Sequence, residues 1–123
     1  MKATVVAEIG SNWEGNLTKA KKIIRECKKA GANAVKFQMW RATDLYSKDH
    51  PNWNEIKKSE LSFKITKKLK EYCDKEKIEF FCSAFYPEAV TYLTKLGVKK
   101  FKVASRTCKF IDPYSLEVLE EKN

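Results

Sequence analysis

The chain has 123 residues, 43% of them hydrophobic, which suits one globular domain with a buried core and is too short for two ordinary domains. Lys and Arg number 25 against 16 Asp and Glu, a formal charge of +9, so nucleic acid, acidic membrane surfaces and phosphorylated metabolites are the partners such a balance attracts. The lysines are spread through amphipathic segments (Lys19, Lys21, Lys22, Lys28, Lys29) with no Arg-rich arm, which points to solvated helix faces; a basic nucleic-acid-binding module is the alternative from another class.

The β-branched run Ala3 to Ile9 predicts a first strand, closed by a loop with Gly10, Gly15 and Asn16. Leu17, Ala20, Ile23, Ile24 and Cys27 recur at helical spacing up to Ala30, and Gly31 stands where a left-handed C-terminal cap ends a helix. Ala34 to Met39 reads as a second strand. A long polar connection with Trp40, Pro51 and Trp53 precedes a helix marked by Ile65, Leu69, Tyr72 and Cys73. Ile78 to Phe85 is the third strand, and Pro87 opens a helix through Ala89, Val90, Leu93 and Leu96 that Gly97 stops. Lys100 to Ser105 is the fourth strand, and Asp112 with Pro113 predicts the cap and first residue of a last helix.

Four strand-then-helix units in a row predict an α/β fold with a parallel sheet, because parallel neighbours are reached only by crossovers. A doubly wound open sheet would be complete at this length. A (β/α)8 TIM-type barrel, typically about 250 residues, would be present only as its first four βα units. The first turn, Gly10 to Gly15, lacks a Gly-rich fingerprint, so a Rossmann-type dinucleotide site is unsupported, and the barrel is preferred largely on the polar strand residues and motifs that follow.

Charged and polar residues inside strand-like runs carry the chemical signal. Glu8 lies near the end of strand one, Lys36 and Gln38 share one face of strand two, Lys102 lies in strand four, and Ser83 and Ser105 lie near strand ends. Strands of a parallel sheet are covered on both faces, and a buried unpaired charge costs several kcal/mol. Two ammonium groups, a carboxylate, an amide and hydroxyls at the carboxyl ends of parallel strands suit a small, multiply charged anion. The plainer alternative is that Glu8 simply pairs with Lys36 or Lys102 as a buried salt bridge. Cys27, Cys73, Cys82 and Cys108 form no C-x-x-C pair and read as reduced thiols. The single histidine, His50, reads as a loop residue, so no metal site is assigned here. No run approaches the ~20 apolar residues of a membrane span, and neither a secretory signal nor membrane partner is expected, so the chain reads as cytoplasmic.

Ala7-Glu8-Ile9-Gly10-Ser11-Asn12, Gly31-Ala32-Asn33-Ala34-Val35-Lys36-Phe37-Gln38 and Phe101-Lys102-Val103-Ala104-Ser105 resemble three motifs of the sialic acid synthase family, in its order; Phe80 to Tyr86 resembles a fourth in weakened form. The resemblance implies an enzyme that condenses phosphoenolpyruvate with an N-acyl amino sugar and releases phosphate. It implies Glu8, Lys36 and Lys102 as catalytic residues and Asn12, Gln38, Ser83 and Ser105 as substrate contacts. It also implies a divalent metal, Mn2+ or Mg2+, whose histidine ligands are not in this chain. Residues 1–123 would then be the N-terminal half of the barrel domain, with the C-terminal half and an antifreeze-like domain absent, and the isolated chain inactive. A homo-oligomer or a missing C-terminal half is the implied partner. Another phosphoenolpyruvate-dependent aldol synthase is the enzymatic alternative. Trp13, Ala84, Tyr86, Arg106 and Thr107 depart from the family pattern.

Overall fold

The computed structural model describes residues 2–121. Its centre is a four-stranded, all-parallel sheet in the order β1-β2-β3-β4: β1 Val6–Glu8, β2 Ala34–Met39, β3 Glu79–Ala84 and β4 Phe101–Lys102. Helix α1 (Leu17–Lys29) joins β1 to β2, α4 (Phe63–Glu76) enters β3, and α5 (Pro87–Lys95) enters β4. The polar connection after β2 contains two short helices, α2 (Ala42–Leu45) and α3 (Trp53–Lys58); α6 (Ser105–Cys108) and α7 (Ser115–Glu121) follow β4.

Local chemistry sets the helix ends. The Asn16 side chain accepts from the Lys19 amide and the Ser62 hydroxyl from the Ile65 amide, satisfying amides that have no partner within their helices. Pro87 opens α5 where its missing N–H costs nothing. Gly31 and Gly97, at φ +96° and +86°, release the chain after α1 and α5 as their positions predicted.

β2 matches its predicted span, β3 is one residue shorter at each end than Ile78 to Phe85, and three further boundaries are corrected. β1 begins at Val6 and not at Ala3, because the Val5 amide donates to the Asn33 side chain and its carbonyl accepts from Asn33 and Ala34, turning the chain out of the ladder. β4 ends at Lys102, and Ser105 begins α6 instead of ending a strand. The last helix starts at Ser115: the Asp112 carboxylate is drawn to Arg106, and its carbonyl accepts from the Ser115 hydroxyl.

The two faces of the sheet differ. Val35, Phe37 and Met39 of β2 and Phe80, Cys82 and Ala84 of β3 alternate toward one side, where they join Ala20, Ile24, Leu69, Cys73 and Leu93 of the helices in the main core. Each such fully buried large apolar side chain contributes roughly 1.5 to 3 kcal/mol. The expectation that the strands are covered on both faces holds on this side only: among the described residues no helix layer covers the opposite face, as in the barrel, whose helices all lie outside, and Val6 on it is 40% exposed. A second small cluster, Trp40, Ala42 and Phe85 with Trp53 and Ile56 against it, packs the connection after β2. Cys73 and Cys82 are buried free thiols, and burial pushes Cys73 up to about 12.

Gly15 has φ +72°, and a Cβ there would meet the Lys58 carbonyl oxygen, so the turn after β1 closes against α3 only with glycine. Gly31 also has positive φ but faces open space. Gly15→Ala is expected to destabilise by at least about 2 kcal/mol, and Gly31→Ala by about 1 to 2 kcal/mol. Urea melts of the two variants check the order.

Candidate functional site

Opposed residues of parallel strands point to the same side, and their neighbours two along return to it. Glu8 opposes Lys36, Gln38 opposes Ser83, and Ser83 opposes Lys102. The sheet therefore places Glu8 and Lys36 in one row and Gln38, Ser83 and Lys102 in the next row toward the carboxyl ends, all on the face without helices. Five of the seven residues singled out in the sequence converge by register alone.

Their contacts are specific. Lys36 Nζ lies 3.3 Å from Glu8 Oε1, and Gln38 Nε2 donates to the same oxygen at 3.4 Å. Lys36 is 9% exposed because β1 and β3 flank it, whereas the Glu8 side chain is 57% exposed. Ser83 is buried, and Lys102 is exposed with Nζ donating to the Val103 carbonyl at 3.0 Å. The prediction of poorly solvated charges thus holds for Lys36 and is corrected for Glu8 and Lys102, which lie nearer the sheet edges on an uncovered face.

Asn12 is exposed on a 3-10 turn, Ser11–Trp13, directly after β1, and Ser105 is exposed in the first turn of α6. Both lie beyond the carboxyl ends of their strands, but neither belongs to the two rows. His50 is committed elsewhere, its Nδ1 accepting from the Asn52 amide. A groove of about 410 Å³ lies beside the Asn12 turn, lined by Ser11, Glu14, Asn52, Glu55 and Lys58, and does not include the rows.

Several residues around the rows carried no sequence assignment. The Trp40 indole donates to Gln38 Oε1 at 3.3 Å; its place two residues after Gln38, on the same alternation, was the available signal. Arg41 lies over the Tyr86 ring at 4.1 Å and faces Tyr114 at 5.3 Å, and its Nε donates to Asp44 at 2.7 Å. Burial works against the Arg41 charge, but Asp44 outweighs it and raises the guanidinium further. Tyr86 is buried, which pushes its phenol up to about 12. Arg106 pairs with the buried Asp112 at 2.6 Å, and Trp13 and Thr107 are core residues. The departures at Trp13, Tyr86, Arg106 and Thr107 thus have local structural partners.

Chemically, the rows can hold an anion with two ammonium groups, an amide and a hydroxyl, next to one carboxylate. Among the described residues no group of three or more His, Cys, Asp or Glu could hold a metal ion. The residues present do not fit a metal site, and no step is assigned through one.

Lys36 and Glu8 should differ in what they do for stability. Lys36→Met keeps the buried stem and leaves a solvated carboxylate, so stability should stay within about 1 kcal/mol of the parent or rise. Glu8→Ala leaves a poorly solvated ammonium and should cost more than Lys36→Met. Denaturant melts of both variants test this, and a loss above about 2 kcal/mol for Lys36→Met would mean that the lysine serves the fold.

No helix among the described residues is long and apolar enough to cross a membrane. The α/β fold matches TIM-barrel-type sialic acid synthetases. The crystal structure of an N-acetylneuraminic acid (sialic acid) synthetase from Leptospira borgpetersenii superposes with a TM-score of 0.81 at 31% identity, over 90% of this chain and 39% of that one. An N,N'-diacetyllegionaminic acid synthase of Legionella pneumophila is 31% identical over 119 residues, 85% of this chain and 33% of the relative. Human N-acetylneuraminate-9-phosphate synthase is 31% identical over 114 residues, 82% of this chain and 32% of the relative. The chain spans about a third of the length of the curated relatives it matches. Residues 23–117 match the NeuB family, a span that holds Lys36, Gln38, Ser83, Lys102 and Ser105 and begins after Glu8 and Asn12. With that match covering most of its length, the chain belongs to the NeuB family.

Proposed function

We propose that this chain forms the phosphoenolpyruvate-binding part of a nonulosonic acid synthase, corresponding to the N-terminal half of the barrel domain and working in the cytoplasm. The observation that carries the reading is the pair of adjacent rows, Glu8–Lys36 and Gln38–Ser83–Lys102, on one face of the parallel sheet. Phosphoenolpyruvate has a carboxylate at one end and a phosphate at the other. Lys36 and Lys102, on different strands and different rows, bind these two anions, and Gln38, Ser83 and Ser105 supply neutral donors. Charge-assisted contacts of this kind are stronger than neutral ones, most of all where water is excluded.

Glu8 stands beside the reacting centre, where it positions substrate or relays a proton, and Asn12 contacts substrate from the turn above it. In the reaction, C3 of phosphoenolpyruvate attacks the aldehyde carbon of the N-acyl amino sugar and a C–C bond forms. Water adds at C2, and the tetrahedral intermediate expels inorganic phosphate. The family resemblance implies a divalent metal, but the described residues do not fit a metal site, so the roles proposed here are binding and orientation of the donor.

The open face leaves the rows in contact with water, which weakens electrostatic preorganisation. The isolated chain therefore binds the donor weakly and does not turn it over. In a calorimetric titration with phosphoenolpyruvate, Lys102→Ala should weaken binding about tenfold, the low end for a charge-assisted contact because Lys102 is exposed. Equal affinity of parent and variant removes Lys102 from the site.

Incubation with manganese, phosphoenolpyruvate and N-acetylmannosamine should release phosphate from the isolated chain no faster than from its Lys36→Ala variant. Co-expression with the C-terminal half of a family member should restore release. Turnover by the chain alone well above that variant contradicts the proposal of an incomplete site.

A further inference from the structure

We infer that Trp40 is a positioning residue that fixes which end of the Gln38 amide faces Glu8, and so fixes the donor geometry of the site; its functional consequence rests on the phosphoenolpyruvate reading above. An amide side chain can present either its oxygen or its NH2 group to a neighbour, and only the surrounding partners decide between them. The indole N–H of Trp40 can donate and cannot accept. With Trp40 Nε1 3.3 Å from Gln38 Oε1, the oxygen is committed to the indole and the NH2 group is turned to Glu8 Oε1 at 3.4 Å. The same carboxylate oxygen faces Lys36 Nζ at 3.3 Å. One donor-only group thereby sets a chain of four side chains, Trp40, Gln38, Glu8 and Lys36. In the flipped amide, an oxygen would face the carboxylate and the NH2 group would face the indole N–H, both repulsive.

Trp40 is itself held. It is 7% exposed in the cluster with Ala42 and Phe85, and the next residue, Arg41, is clamped between the Tyr86 and Tyr114 rings and by Asp44. Arg41 therefore restrains the backbone beside the indole from loops that follow β3 and β4. Trp53 packs against the same cluster, yet among the described residues its indole makes no hydrogen bond to a side chain, so it separates packing from positioning.

Nitrogen-15 spectra of the whole chain supply the test, with the Gln38 side-chain resonances assigned by their loss in Gln38→Ala. Trp40→Phe keeps an aromatic ring in the cluster and removes the N–H; it should shift the Gln38 amide pair and speed its exchange with water, whereas Trp53→Phe should leave both unchanged. Among the three tryptophan indole signals, Gln38→Ala should move that of Trp40 and spare those of Trp13 and Trp53, a readout that does not require Trp40→Phe to fold. Identical Gln38 signals in Trp40→Phe and Trp53→Phe, or an unmoved Trp40 indole signal in Gln38→Ala, overturn the inference. For phosphoenolpyruvate, Trp40→Phe should weaken binding about two- to tenfold, the range of one neutral hydrogen bond, and should have no further effect in a Gln38→Ala background. If the spectral coupling is present while the parent chain binds no phosphoenolpyruvate, the positioning stands and the donor-site reading falls.

Discussion

The register of β2 is the constraint on which the rest of the molecule depends. All six of its residues pair with β3 and the first three also with β1, so a shift by one residue would send Lys36 and Gln38 into the helix layer and Phe37 and Met39 onto the open face. Burying an ammonium among Ile24, Leu69 and Leu93 would cost several kcal/mol, and exposing two large apolar side chains would add to it. The hydrophobic alternation of one strand thus both builds the core and aligns the polar rows across its neighbours. The rows are a consequence of folding the core correctly.

Within that frame the electrostatics are graded by distance from the sheet centre. Lys36, on an interior strand, is nearly lost to solvent and meets a carboxylate; Lys102 on β4 and Glu8 on β1, the edge strands, remain solvated. A fully enclosed site would make every one of these charges expensive, and an open face makes only the central one so. Relatives in the NeuB family are about three times as long as this chain.

The loops beyond the carboxyl ends of β2, β3 and β4 are tied together by unusual chemistry for connecting segments. Arg41 is shared between Tyr86 and Tyr114, while Phe63 stacks on both Tyr86 and Tyr92. Aromatic and cation–π contacts of this kind contribute about 0.5 to 2 kcal/mol each. Their value here is geometric, because they hold several connections in a fixed relation above the sheet. Two non-glycine residues in the left-handed region, Phe110 and Tyr114, flank the buried Asp112 that holds Arg106. Such strain persists only where surrounding contacts over-determine the backbone.

By itself the sequence determined the alternating strands, the helix stripes, the glycine stops after α1 and α5, and the family, because these depend on period, local propensity and short motifs that neighbours in the chain carry. It also determined that Glu8, Lys36, Gln38, Ser83 and Lys102 belong together, since strand alternation and parallel pairing are enough to bring them to one face. It could not show that Glu8 and Lys102 stay solvated on that face while Lys36 does not, because solvation there depends on how the flanking strands pack. Nor could it show that Asp112 leaves its expected capping position for Arg106, or that Ser105 turns into α6 instead of extending β4. Trp40 was legible only as an aromatic in a connection. Its role on Gln38 required tertiary structure, because a hydrogen bond between side chains depends on rotamers and on the cluster that locks the indole, and neither is written in the period of the chain.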